Sequence, residues 1–153
     1  MDAFVANVRQ FIVPYKGFRC FRVADTNLYV SRCPSEEKDV LSLHEMGIRS
    51  LICLQRTEEE TRSPLIVKTW RTLFLPTHDY DHAKEKYLEE AFHFAHTGNR
   101  CVIHCRNGKG RSRSCVYYIL RRRGYTDDEA RKMARIYVWN RQYKRMRRLV
   151  QKA

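Results

Sequence analysis

In the stretch HCRNGKGRSRS, residues 104–114, one cysteine stands among two glycines and four Lys or Arg side chains. A thiolate is both a strong nucleophile and an anion, so positive charge gathered around it favours its reactive form. Cys105 and Arg111 are separated by six residue steps, which lets the chain between them curl until its backbone N–H groups converge. Gly108 and Gly110 supply conformations that other residues resist. Such a nest, opening onto a helix N-terminus, suits a phosphate-sized anion. Arg111 closes the ring with a planar two-pronged donor. Arg106, Asn107, Gly108, Lys109 and Gly110 complete the phosphate-binding set. Ser112 is placed to donate to the sulfur and ease its departure as a leaving group, and His104 to order the loop through hydrogen bonds. This is not a Walker A loop, which would close a Gly-x4 run with Gly-Lys-Ser/Thr.

The loop needs elements to hold it. Residues 101–104, CVIH, read as a short buried strand entering it, and Cys115, Val116, Ile119 and Leu120 as the inner face of a helix leaving it and ending at Gly124. Upstream, alternation predicts strands at 18–24 and 27–31, and apolar runs predict strands at 50–54 and 72–75. Phe4, Val8, Phe11 and Ile12 have helical spacing, as do Val40, Leu41, Leu43 and Met46 after a cap at Ser35. Further helices are expected from Ala83 to Ala95, after a capping box at Thr126 with Ala130, Met133, Ala134 and Tyr137 on the apolar face, and over 142–150. Strands interleaved with helices predict an α/β fold, a central mostly parallel sheet flanked by helices.

The 153 residues suit a single domain, 1–153, with a core of its own. No apolar run approaches the roughly 20 residues of a membrane helix, and the N-terminus lacks the pattern of a secretory signal. Six cysteines without a CxxC pair read as free thiols of a reducing compartment, cytoplasmic or nuclear. Cys53 and Cys115 read as core residues, although Cys53 offers a conceivable disulfide partner for Cys105. Charge is unevenly placed: residues 1–98 carry 13 Lys/Arg against 14 Asp/Glu, and residues 99–153 carry 17 against 3, a net of +14. That field favours a polyanionic partner, be it a phosphoinositide, an acidic membrane surface or RNA.

HCRNGKGRS resembles the HCxxGxxRS signature of the cysteine-dependent phosphatases, and especially their dual-specificity branch. The paired N-terminal strands, the LHEMGIRSLICL segment and the helices after the signature extend the resemblance over about residues 18–150. It implies a tyrosine-phosphatase-like fold and hydrolysis through a phosphocysteine, with no cofactor and no metal. It further implies a general acid on the loop LPTHDYDH. Asp79, 26 residues before Cys105, fits the Leu-Pro-Thr-x-Asp pattern; Asp81, 24 residues before it, is the alternative unless it caps the next helix, and His78 is a third. The small size implies a shallow pocket, hence phosphorylated protein substrates of both kinds, phosphotyrosine and phosphoserine/threonine. Two alternatives use the same chemistry. Arg106 and Lys109 make the loop similar to the HCKAGKGR of phosphoinositide 3-phosphatases, and a related branch removes 5′ phosphates from RNA, although no interleaved stacking aromatics stand out for RNA.

Overall fold

The structure, a computed structural model, describes residues 17–56, 70–78 and 81–152. The helix expected around Phe4 to Ile12 lies outside the described residues, and so does Asp79.

Among the described residues, five short strands make one sheet: β1 (Cys20–Arg22), β2 (Leu28–Ser31), β3 (Ser50–Cys53), β4 (Arg71–Phe74) and β5 (Cys101–His104). Their spatial order is β1-β2-β5-β3-β4, with only β1 antiparallel to its neighbour. The helices are α1 (Glu37–Glu45), α2 (Glu85–Ala95), α3 (Arg111–Arg122), α4 (Asp127–Met133) and α5 (Arg141–Lys152). The mostly parallel sheet flanked by helices expected from the sequence is the architecture found. β2, β3 and β5 are buried at every residue, as parallel strands covered on both faces must be.

Alternation along the strands sorts side chains into two cores. Tyr29, Leu51, Cys53 and Val102 join Val40 and Leu43 of α1, together with Phe18, Ile48 and Trp70. Leu28, Val30, Ile52 and Ile103 face the larger core, with Leu88 of α2, Val116 and Leu120 of α3, and Met146 of α5. α3 is the central helix, touching α2, α4, α5 and the strands β2 and β5. Each large apolar side chain it buries contributes about 1.5–3 kcal/mol.

The central strand aims the loop. In β5, His104 lies level with Ser31 of β2 on one side and Cys53 of β3 on the other. Cys105 therefore leaves the sheet at its carboxyl edge, flanked by neighbouring strands. Open parallel sheets gather ligand-binding loops at that edge.

Several boundaries differ from expectation for tertiary reasons. β1 is shorter than 18–24 because Ala24, at φ 49°, already turns the chain. The cap of α1 is Glu36 rather than Ser35: its N–H donates to the Asp39 carboxylate at 3.0 Å. Asp39 is fully buried and takes two bonds from the Arg32 guanidinium at 3.0 and 3.1 Å, a pairing from outside the helix that local sequence does not reveal. α2 begins at Glu85 instead of Ala83, since Lys84 is still extended at ψ 149°.

The expected Thr126 capping box is present, and the next residue does more. Asp127 accepts from the hydroxyls of Tyr117 (2.6 Å) and Tyr143 (2.8 Å), with Arg121 and Arg147 each at 3.6 Å. One carboxylate thereby ties α3, α4 and α5 together. Burial pushes its pKa up, but the two hydroxyls and two guanidiniums outweigh that and hold it below the ordinary value. Asp127→Asn is expected to cost about 2 kcal/mol at neutral pH and lower Tm by roughly 4–8 °C. Because the folded-state pKa is depressed, this stability is present above the unfolded value of about 3.9 and is lost as pH falls through the folded value. Melting curves of wild type and variant should therefore converge in acid; a constant gap would exclude the charge as the cause.

Candidate active site

The loop between β5 and α3 is held open from outside. The carbonyls of Arg106, Asn107 and Gly108 accept from Cys33 N (3.2 Å), Arg19 Nη1 (2.7 Å) and Arg113 Nε (3.0 Å) respectively. A planar trans peptide points its C=O and N–H in opposite directions. The amides of Asn107, Gly108 and Lys109 are consequently turned inward, as an anion nest requires. Gly108, at φ 71°, packs on the backbone of Ser31 and Arg32 at the end of β2. Gly110 starts α3 with no side chain to cap it, leaving the helix N-terminus to a ligand.

Cys105 lies at the bottom of this nest, only 3% exposed, with its Sγ 3.3 Å from Ser112 Oγ. Arg111 is buried at the first position of α3, and its Nη1 donates to the Thr77 carbonyl at 2.9 Å. His104 is fully buried, with Nδ1 3.4 Å from the Cys105 carbonyl, in keeping with an ordering role. Cys53 packs on the opposite face of the sheet from Cys105, so the two thiols are not disposed to pair. Burial pushes the thiols of Cys20 and Cys101 up to about 12 and that of Cys115 higher still, which makes them poor nucleophiles.

A cleft of about 450 Å³ opens over the thiol. It is lined by Asn107, Lys109, Gly110 and Arg111 of the loop and by Asn140, Arg141, Gln142 and Arg145 at the start of α5. Of the residues expected to bind phosphate, Arg106 and Gly108 lie off this lining, Arg106 exposed and Gly108 buried against the end of β2. The α5 wall was not singled out in the sequence as part of the site. Its one local signal is Asn140, whose side chain accepts from Tyr143 N at 3.1 Å as a helix cap does. With its amide oriented to satisfy its neighbours, Gln142 donates to the Gly110 carbonyl and accepts from Asp81 N, both at 3.2 Å.

The described residues on either side of positions 79 and 80 are anchored beside the nest. Leu75 N and Thr77 N donate to Cys53 and Leu54, and Thr77 in turn receives Arg111. Asp81 does not cap α2. Half exposed, it accepts from His82 N at 3.0 Å and pairs with Arg145 at 3.3 Å.

A cysteine at the carboxyl edge of a mostly parallel sheet, under an arginine-closed amide nest, defines a cysteine-dependent phosphatase. Residues 18–153 match the family described as PTP-SAK, Swiss Army Knife protein, DSP-PTPase phosphatase domain, and the chain belongs to that family. No curated protein matches it in sequence. Solved structures share the fold at low identity. Tk-PTP in its active form is 19% identical with a TM-score of 0.72, over 90% of this chain and 98% of that one. PTPMT1 in complex with PI(5)P is 17% identical with a TM-score of 0.70, over 87% and 95%. Human DUSP28 is 20% identical with a TM-score of 0.64, over 87% and 93%. Among the described residues, no helix is long and apolar enough to cross a membrane.

Proposed function

We propose that this phosphatase acts on monoesters carrying negative charge beyond the scissile phosphate, a phosphoinositide headgroup being the class that suits the cleft best. The observation behind this reading is that Lys109, Arg141 and Arg145 line the cleft around Arg111. A single phosphate is satisfied by Arg111 and the nest; Arg145 is already paired with Asp81, so it is Lys109 and Arg141 that favour further anionic groups. That the similarly folded PTPMT1 was solved with PI(5)P supports the same reading. Phosphotyrosine and phosphoserine/threonine proteins, the substrates foremost in the sequence reading, are the second possibility.

The chemistry is common to both. The Cys105 thiolate attacks phosphorus in line; the P–S bond forms as the P–O bond to the leaving group breaks. Arg111 and the amides of residues 107–109 hold the three equatorial oxygens. Asp79 protonates the departing oxygen and then takes a proton from water, which displaces the thiolate from the phosphocysteine. Ser112, 3.3 Å from the sulfur, stabilises that departing thiolate.

The reading is tested by phosphate release from water-soluble short-chain phosphoinositides, phosphopeptides and 5′-triphosphorylated RNA, each against the Cys105→Ser protein. Phosphoinositide turnover at least tenfold ahead supports it; a lead for either other class replaces it. Asp79→Asn should slow alkyl phosphate hydrolysis about 10²-fold and activated aryl phosphates far less. The same pattern from Asp81→Asn instead would move the acid to Asp81.

A further inference from the structure

The connection between α4 and α5 exposes three consecutive apolar residues: Tyr137 at 65%, Val138 at 58% and Trp139 at 66%. The other large apolar residues exposed among those described, Leu41 and Phe74, stand singly. This cluster is held out rather than frayed. Arg135 turns the chain at φ 57°, its carbonyl receives Arg113 at 2.8 Å, and Ile136 beside it is buried. Arg131 Nη1 donates to the Ile136 carbonyl (3.0 Å), and Asn140 N closes the turn on the Tyr137 carbonyl (3.0 Å). The Tyr137 and Trp139 rings stack on each other at 4.8 Å, 5° from parallel. A soluble surface gains nothing from fixing apolar groups in water, so a contiguous patch of this kind marks a contact.

Its rim is cationic. In α5, Arg141, Lys144, Arg145 and Arg148 fall at i, i+3, i+4 and i+7, one stripe of the helix, and all four are exposed. Among the described residues, no carboxylate pairs with Arg135, Arg141, Lys144 or Arg148. Arg141 and Arg145 of the stripe also line the catalytic cleft. Apolar tip, basic stripe and cleft mouth therefore adjoin.

We propose that this surface is a membrane-docking face: Tyr137, Val138 and Trp139 enter the headgroup region of an anionic bilayer, and the basic stripe of α5 lies on its surface. Trp and Tyr favour that region because each has an apolar body and a polar edge. Anionic lipid supplies the charge that complements the stripe. A nucleic acid fits less well. Val138 offers no stacking face, and the inner faces of the two rings already cover each other. Docked in this way, the cleft faces lipid phosphates in the bilayer plane. That consequence rests on the phosphoinositide reading; the docking itself does not.

The test is sedimentation of the 153-residue chain with vesicles of phosphatidylcholine, alone or with phosphatidylserine. Binding is expected only to the phosphatidylserine vesicles, with a blue shift in Trp emission; of the two tryptophans, Trp70 is buried, so the shift reports Trp139. Tyr137→Ala with Trp139→Ala should weaken binding at least tenfold, and Lys144→Ala with Arg148→Ala about 30-fold. Hydrolysis of a soluble aryl phosphate should be unchanged in both. Binding that survives the aromatic pair, or single-stranded RNA shifting Trp139 where vesicles do not, overturns the proposal. Phosphatidylserine offers no monoester, and a soluble phosphoinositide needs no bilayer. Docking without phosphoinositide turnover thus removes only the substrate reading, and turnover without docking removes only this one.

Discussion

Cys105→Ser is expected to lower turnover by about 10⁴-fold or more while inorganic phosphate still binds. A serine hydroxyl is held in its protonated form at neutral pH and is a far weaker nucleophile than a thiolate. Nothing else in the site changes much. The side chain is nearly the same size, it is 3% exposed, and an Oγ can still meet Ser112. The nest persists because it is built from backbone amides whose carbonyls are tied to Cys33, Arg19 and Arg113. Calorimetric titration with phosphate beside single-turnover hydrolysis of an aryl phosphate separates binding from chemistry. Residual turnover within tenfold of wild type would place the nucleophile elsewhere. The buried thiols of Cys20, Cys101 and Cys115, all pushed upward in pKa, are poor substitutes.

The second large effect comes from one methyl group. In Gly108→Ala the new Cβ would lie 2.7 Å from Ser31 C and 2.8 Å from both Arg32 N and Ser31 O. All three are backbone atoms at the end of β2, whose pairing with β5 keeps them from yielding. The residue also sits at φ 71°, which costs an L residue about 1–2 kcal/mol. The loop must therefore move, and a displacement near 1 Å loses about 10²-fold in rate. Turnover should fall by that much or more with phosphate affinity falling alongside, while circular dichroism stays native. Gly98→Ala is the control. Gly98 has a similar φ of 81° but nothing within 4 Å, so it should lose only stability. Equal losses of activity in the two variants would show that the contact with β2 is not what matters.

The loop and its nucleophile were legible in the sequence because everything that defines them lies in one contiguous run. Strand, glycines, Cys105, Arg111 and Ser112 are set by local backbone geometry over residues 101–120, and local geometry is what spacing records. The alternation of β2 and the apolar runs of β3 and β5 were legible for the same reason. Asp79 rests on pattern alone, since it lies outside the described residues. What only the tertiary structure decided is everything that reaches the loop from far along the chain. Arg19 supports Asn107 from 88 residues away, Asp127 joins three helices, and α5 with its cap Asn140 supplies one wall of the cleft. In the sequence these were a strand residue, part of a cap and a basic helix face. Tyr137 likewise read as part of the apolar face of the helix after Thr126; that helix ends at Met133, and Arg113 and Arg131 hold the backbone of the following turn so that Tyr137 is 65% exposed. A side chain's partner across the fold depends on strand order and helix docking, and those are settled by burial of the whole chain rather than by any segment of it.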